Sequence, residues 1–165
     1  DSQQWAANYL AYAASRATGP VVVLGHSKGA NCALYAAAAT TPPALSLVHA
    51  FDPVGFPAAA IDDGFFDGIN ERMRIYVTAG SWVSPLLPLP APTTVVASGW
   101  PGPLSHNPYA WCLEGASLEL DGRKPSRSGR VLRSVLRAFL RTRPTRIGAI
   151  ERTDLTGRRI RCCAR

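Results

Sequence analysis

The sequence predicts an α/β fold with a mostly parallel sheet flanked by helices, and three observations predict it. The apolar run at residues 21–24 is too short for a helix, and it lacks the polar alternation of a strand with one solvated face. Alanine and leucine then recur at helical spacing as far as Ala39. Two more apolar runs follow, at residues 45–51 and 73–78, separated by long connections of the kind that parallel strands require.

Length, composition and charge divide the chain unevenly. The 165 residues, 47% of them hydrophobic, are enough for one globular domain. Residues 1–122 carry four Lys/Arg and nine Asp/Glu, whereas residues 123–165 carry fourteen and two, so the net charge of +7 comes from the tail. We expect an α/β portion over residues 1–122, and a basic amphipathic helix with a poorly ordered tail over 123–165. No signal peptide and no run of eighteen apolar residues is found, which favours a cytoplasmic location.

The first predicted element is a helix over residues 3–16, with Ser2 as its cap. Apolar residues repeat along one face of it, which indicates that this face is packed: Trp5, Ala6, Tyr9, Leu10 and Ala13. The apolar run at 21–24 follows directly, and we interpret it as a central strand of the sheet. No strand is predicted before it.

The turn from this strand into the next helix has the sequence Gly25-His26-Ser27-Lys28-Gly29, a G-x-S-x-G pattern. In such a turn the serine hydroxyl is raised above the edge of the sheet as a nucleophile. A side chain at either glycine is expected to collide with the neighbouring strand or the start of the helix. The backbone N–H of Lys28, at the positive end of the helix, would donate to an oxyanion. The alternative is that Ser27 is only a helix N-cap.

Three more strands are predicted after this helix, over residues 45–51, 73–78 and 93–98. Residues 61–72 read as mixed loop and helix. The Pro-rich segment 84–92 is either a flap facing a substrate or a packed surface loop. A small hairpin is expected near residues 118–122.

A nucleophilic serine needs a histidine base, and the sequence contains three histidines. His26 is adjacent to Ser27 and should point away from it. His49 lies inside a predicted strand and is interpreted as a core or face residue. His106, on a loop after the last strand, is left as the base; the alternative is a loop histidine that caps a turn.

The acid must lie between Ser27 and His106 if the chain order is Ser, Asp or Glu, His. Asp52 is the choice because it alone follows a buried strand directly, and the carboxyl ends of parallel strands meet at one edge of the sheet. A more usual position, near residues 78–84, has no carboxylate. The alternative for Asp52 is a turn aspartate that bonds its own loop. The remaining carboxylates of the interval are Asp62, Asp63, Asp67 and Glu71.

These motifs, taken in order, resemble an uncharacterised lipase-like branch of the α/β-hydrolases, related to the class 3 or fungal-type lipases. The resemblance covers about residues 3–120, and it rests on an ordered series: residues 25–31, 51–56, 81–83, 95–98 and 105–111. It implies a partial α/β-hydrolase fold and esterase or lipase-like chemistry, with Ser27 and His106 matching the nucleophile and the base. The position of Asp52 is similar to that of the acid in pancreatic-type lipases, and Asp52-Pro53-Val54-Gly55 is similar to plant chlorophyllases.

Two departures from the family pattern are visible. The N-terminal strands of the family and their second oxyanion donor are absent from this sequence, so residues 1–122 correspond to the C-terminal portion of such a domain. Ala30 stands where a second glycine is common.

The sequence therefore predicts a serine hydrolase that cleaves carboxylic esters, with lipid esters as the expected substrates and no metal or cofactor. The four cysteines show neither a disulfide framework nor a metal-binding spacing. The alternative is a non-catalytic remnant of the fold that binds a membrane surface or a partner through its basic helix.

The basic helix is predicted over residues 130–141. It either packs on the sheet or adsorbs to an anionic membrane surface. Nucleic-acid binding is disfavoured, because no aromatic residues alternate with the basic ones. Its charged face carries Arg130, Arg133, Arg137 and Arg141.

Overall fold

A computed structural model describes residues 2–122 and, further along, residues 152–153 and 159–160. The first part is an α/β structure with a four-stranded parallel sheet flanked by helices, which confirms the predicted fold class. The strands lie in the order in which they occur along the chain: β1 Val21–His26, β2 Leu45–Phe51, β3 Met73–Thr78 and β4 Thr93–Val96.

The helices connect these strands. They are α1 Ser2–Arg16, α2 Lys28–Thr40 and the short α3 Ala58–Asp62. Short 3₁₀ helices occupy Asp67–Arg72, Ser84–Leu86, Gly102–His106 and Pro108–Ala110. Thr41 ends α2 in the left-handed conformation, with its N–H bonded to the carbonyl of Ala37, and two prolines follow.

One face of the sheet forms the core. Val48, Ala50 and Ile75 are at most 2% exposed and pack against small and apolar residues of α2, among them Leu34 and Ala37. The alanines of α2 bring the helix axis close to the sheet. The opposite face carries His49, Phe51 and Tyr76 as half-buried stacked rings, so the interpretation of His49 as a face residue is confirmed.

The prediction that 21–24 is a central strand is wrong for the described residues. Strand β1 pairs with β2 alone and forms the edge of the sheet. The side chains of Val22 and Leu24 are 50% and 69% exposed. A continuous apolar run indicates burial on both faces, but it does not reveal how many neighbours the strand has.

The apolar face assigned to α1 is also only partly correct. Trp5 and Tyr9 are more than 70% exposed, whereas Ala7 and Leu10 are buried. The packed side of α1 is its alanine-rich side, because small residues allow close approach to α2. Ser2, expected as the cap, is the first residue of the helix.

The Pro-rich segment packs against the loop after β2. The N–H of Phe56 donates to the carbonyl of Pro88 at 2.8 Å, and a Cβ built on Gly55 would lie 2.3 Å from that oxygen. The segment is therefore a packed loop at this point. The predicted hairpin occurs slightly earlier, as antiparallel strands β5 Leu113–Glu114 and β6 Ser117–Leu118.

The chain divides into two compact units, Asp1–Ser134 and Val135–Arg165. In the second unit, β7 Arg152–Thr153 pairs antiparallel with β8 Arg159–Ile160. The prediction of a poorly ordered tail falls largely on residues outside those described. The predicted basic helix with Arg130, Arg133, Arg137 and Arg141 lies outside the described residues. Within the described part of the chain, no helix combines the length and hydropathy needed to cross a membrane.

Candidate active site

Ser27 occupies the turn between β1 and α2 in a strained backbone conformation. Its φ of 56° and ψ of −122° are rare for a residue with a side chain. Backbone hydrogen bonds hold it there: its N–H donates to the carbonyl of Phe51 at 2.9 Å, and its carbonyl accepts from the N–H of Asn31 at 3.2 Å. Such strain persists only where the surroundings enforce it, and it often marks a functional site.

The two glycines of the turn differ. A Cβ on Gly25 would lie 2.5 Å from the carbonyl oxygen of Gly29 and 2.8 Å from the nitrogen of Ala30, which is closer than atoms can approach. The expected collision is therefore confirmed at Gly25. It is wrong at Gly29, where no described heavy atom lies within 4 Å of the added Cβ. The backbone at the start of α2 therefore packs directly against Gly25 of β1, whereas the Cα of Gly29, the second residue of α2, faces open space.

Asp52 follows β2 directly and is fully buried. Its φ of 43° is a second positive value at this edge of the sheet, in a residue type that tolerates it better than most. Its N–H donates to the carbonyl of Tyr76 in β3 at 2.7 Å, which fixes the turn. Ser27 and Asp52 thus lie at the carboxyl end of adjacent strands, as the parallel pairing predicts.

His106 ends the 3₁₀ turn Gly102–His106, and its Nδ1 lies 2.7 Å from Oδ2 of Asp52. The imidazole is 25% exposed and the carboxylate is not exposed at all. Because an ionised carboxylate can only accept, Nδ1 carries the proton of the neutral imidazole, and the lone pair of that form is on Nε2. This arrangement leaves Nε2 as the atom that can accept a proton.

Two of the three predicted catalytic side chains are therefore in direct contact. Ser27 lies at the same edge of the sheet, but among the described residues its hydroxyl makes no hydrogen bond with His106. Hydrogen bonds between a nucleophile and its base are often long until substrate binds. Lys28 is the first residue of α2, so its N–H has no acceptor within the helix, as an oxyanion donor requires.

His26 has a part that the sequence reasoning missed. Its Nε2 lies 2.8 Å from the carbonyl oxygen of His106, and the two rings are 4.6 Å apart. Since a carbonyl only accepts, Nε2 of His26 carries a proton. The residue beside the serine therefore holds the loop that carries the base. In the sequence, the one feature that pointed to a role for His26 in the site was its position next to Ser27.

Buried hydroxyls hold the His106 loop against the sheet. Ser105 and Thr78 are each 2% exposed, and their hydroxyl oxygens lie 2.7 Å apart. The Ser105 hydroxyl also donates to the carbonyl of Gly102 at 2.7 Å, so Thr78 is the donor to Ser105. The indole of Trp111 donates to the Ser105 carbonyl at 2.9 Å. These contacts fix the residue that precedes the base.

A buried asparagine connects the turn of the serine to the loop of the acid. The side-chain oxygen of Asn31 accepts from Gln3 at 2.8 Å and from the ammonium of Lys28 at 2.9 Å. Its amide nitrogen donates to the carbonyls of Val54 and Gly55 at 3.1 and 3.2 Å. Asn31 is 3% exposed, so these four contacts satisfy a polar group that burial would otherwise penalise.

The contact of Ser84 with the acid was also not predicted from the sequence. Ser84 lies 32 residues after Asp52, and its hydroxyl donates to Oδ1 of that carboxylate.

In the described ranges, no group of three or more His, Cys, Asp or Glu side chains could hold a metal ion. Cys32 and Cys112 are free thiols, both half-buried.

The fold and this site define an α/β protein that carries a strained serine, and a buried aspartate in contact with a partly exposed histidine, at one edge of a parallel sheet. The chain belongs to the Mbeg1-like family, whose pattern matches residues 1–149. Among curated proteins, no match was found.

Proposed function

We propose that this protein is a serine hydrolase of the α/β-hydrolase type that cleaves carboxylic esters, with Ser27 as nucleophile, His106 as base and Asp52 as acid. The observation that carries the proposal is the contact between Nδ1 of His106 and the fully buried carboxylate of Asp52, at 2.7 Å. A carboxylate placed in this way fixes the tautomer of the imidazole and stabilises the cation that forms when the imidazole takes a proton.

The proposed reaction runs in two steps. The Ser27 oxygen attacks the acyl carbon while its proton passes to Nε2 of His106, and the oxyanion is stabilised by the N–H of Lys28. The ester bond then breaks, and the leaving alkoxide takes that proton from His106. In the second step, water attacks the acyl carbon of the acyl-enzyme and gives a proton to His106. The bond to Ser27 then breaks, Ser27 takes that proton, and the carboxylic acid leaves.

Apolar side chains near the base support an apolar ester, such as a lipid, as the substrate. Leu104 and Tyr109, within three residues of His106, are 62% and 93% exposed. Trp82 and Trp100 are 44% and 45% exposed on neighbouring loops. A contiguous apolar patch, rather than single scattered residues, marks a surface that binds apolar ligands, and we propose that these side chains form one.

The test is covalent labelling of the full chain with a fluorophosphonate probe, which reacts with activated serines. We expect labelling at Ser27, read by peptide mass spectrometry, and its loss in Ser27→Ala and His106→Ala. Ser46→Ala is the matched control, since Ser46 is an exposed serine of β2 away from the site. It should label as fully as the unmodified chain.

A folded chain that does not react with the probe would contradict the proposal and favour the non-catalytic alternative. Circular dichroism distinguishes that result from unfolding. Labelling that survives in His106→Ala at an unchanged rate would also contradict it, because the serine would then need no base.

A further inference from the structure

Ser84 is placed to control the carboxylate of Asp52. It opens the 3₁₀ turn Ser84–Leu86 and is 6% exposed. Its hydroxyl donates to Oδ1 of Asp52, while Oδ2 of the same carboxylate contacts Nδ1 of His106. Each of the two oxygens thus has its own partner, one from the loop after β3 and one from the loop that carries the base.

The carboxylate needs such a partner because it is completely buried. A buried charge is costly unless hydrogen bonds replace the water it has lost. With His106 as its side-chain partner alone, the carboxylate could rotate about its Cβ–Cγ bond and turn either oxygen toward the imidazole. A donor on Oδ1 fixes the plane of the group, and Oδ2 then faces Nδ1.

Ser84 is itself held by its loop. The backbone N–H groups of Val83 and Ser84 donate to the hydroxyl of Ser81, at 3.2 and 3.3 Å. Ser81 is 3% exposed and follows β3 after a short turn. The hydroxyl of Ser84 therefore approaches the carboxylate from a turn that is anchored to the end of a central strand.

We propose that Ser84 is a positioning residue for ester hydrolysis, acting through Asp52 on the base His106. This rests on the proposed function. Ser84 holds the carboxylate in the orientation that keeps the proton on Nδ1 of His106 and the lone pair of Nε2 available to Ser27. It touches neither the substrate nor the reacting atoms.

The experiment compares Ser84→Ala and Ser84→Thr in the full chain, with Ser81→Ala as a variant that loosens the same turn. The Ser81 hydroxyl accepts hydrogen bonds from the backbone N–H groups of Val83 and Ser84, so its loss leaves the Ser84 hydroxyl itself in place. We measure kcat and KM on a p-nitrophenyl ester, the thermal melting point, and the ¹H NMR signal of the Nδ1–H of His106. That proton is in hydrogen-bond contact with a carboxylate, so its signal reports on the Asp52–His106 contact directly.

We expect Ser84→Ala to lower kcat by about tenfold, because a hydrogen bond to a charged group is lost, with KM changed by less than about twofold. Its Nδ1–H signal should broaden through faster exchange with water. Ser84→Thr keeps the hydroxyl and should retain both the signal and most of kcat. Ser81→Ala should lower the melting point and lower kcat by less than Ser84→Ala does, because the Ser84 hydroxyl is kept.

Equal losses of kcat in Ser84→Ala and Ser81→Ala would overturn the proposal, because they would show a general effect of the loop. An unchanged kcat and an unchanged Nδ1–H signal in Ser84→Ala would overturn it as well. The NMR signal needs no turnover, so it separates this proposal from the proposed function. If Ser27 does not react with the probe, the proposed hydrolase activity is contradicted. If the protein is active but the Nδ1–H signal is the same with and without the Ser84 hydroxyl, only the role of Ser84 is contradicted.

Discussion

The two halves of the candidate site are held in different ways. The acid–base half, Asp52 and His106, is joined by a side-chain contact of 2.7 Å and supported by the Ser84 hydroxyl. The nucleophile half, Ser27, lies at the end of an edge strand, and backbone hydrogen bonds hold it in a strained conformation. One half depends on the chemistry of particular side chains, and the other depends on how closely the backbone can pack.

This difference determines which substitutions damage each half. Changing one functional group should be enough to disable the acid–base half while the fold survives. The nucleophile half should instead be sensitive to added atoms, since Gly25 touches the start of α2 with no room for a Cβ. Three predictions test this distinction.

The largest effect is expected for Asp52→Asn. Asparagine has the same size and tolerates the positive φ of this position, but its amide cannot accept hydrogen bonds at both ends. His106 and Ser84 would compete for one acceptor oxygen, and the tautomer of His106 would no longer be fixed. We expect kcat for a p-nitrophenyl ester to fall by about 10⁴-fold.

Asp62→Asn provides the control, because Asp62 is an exposed carboxylate at the end of α3. It should keep full activity. If Asp52→Asn retained more than about a tenth of kcat while remaining folded, the carboxylate would be a structural turn residue and the acid–base half would lose its assigned chemistry.

A medium effect is expected for Gly25→Ala. The added methyl group would meet backbone atoms of Gly29 and Ala30 at 2.5 to 2.8 Å, so the helix must move away from the strand. We expect the free energy of unfolding, measured with urea, to fall by about 1–3 kcal/mol. Labelling of Ser27 by the fluorophosphonate should slow as well, since the strained turn would relax.

Gly29→Ala is the matched variant on the other side of Ser27. Its Cβ meets no described atom within 4 Å, and alanine favours the helix, so we expect the free energy of unfolding to rise by up to about 1 kcal/mol. Equal destabilisation by both variants would contradict the contrast between the two glycines.

The sequence was sufficient to locate four strands and the Asp–His contact, although it did not show that β1 lies at the edge of the described sheet. Parallel strands bring their carboxyl ends to one edge, so Asp52 could be placed beside the end of β1 from the order of the strands. With three histidines in the chain, elimination led to His106. The role of Ser27 as a nucleophile stays a prediction.

Other features were beyond sequence reasoning. The contact of Ser84 with Asp52 depends on a 3₁₀ turn whose geometry the Pro-rich segment does not reveal. The G-x-S-x-G pattern is symmetric as text, but its two glycines meet different surroundings. The exposure of Trp5 could not be predicted either, because periodicity identifies an apolar face without identifying what covers it.

The smallest effect is expected for His26→Ala. The His26 side chain connects the two halves, because it ends β1 next to Ser27 and contacts the loop of His106. The substitution removes the hydrogen bond from Nε2 to the carbonyl of His106, at 2.8 Å, together with the contact of the two rings. We expect a loss of about 1 kcal/mol in the free energy of unfolding. We also expect a fall in kcat of roughly threefold to tenfold, because the His106 loop would be less firmly held.

The matched control is His49→Ala, since His49 is also a half-buried histidine at a strand, but it stacks on Phe51 and Tyr76 away from His106. His49→Ala should lower the free energy of unfolding by a similar amount and leave kcat unchanged. His26→Gln keeps an N–H donor and should recover part of the activity. If both histidine variants lowered kcat equally, the loss would follow from general destabilisation. The link between the residue beside the serine and the loop of the base would then have no part in catalysis.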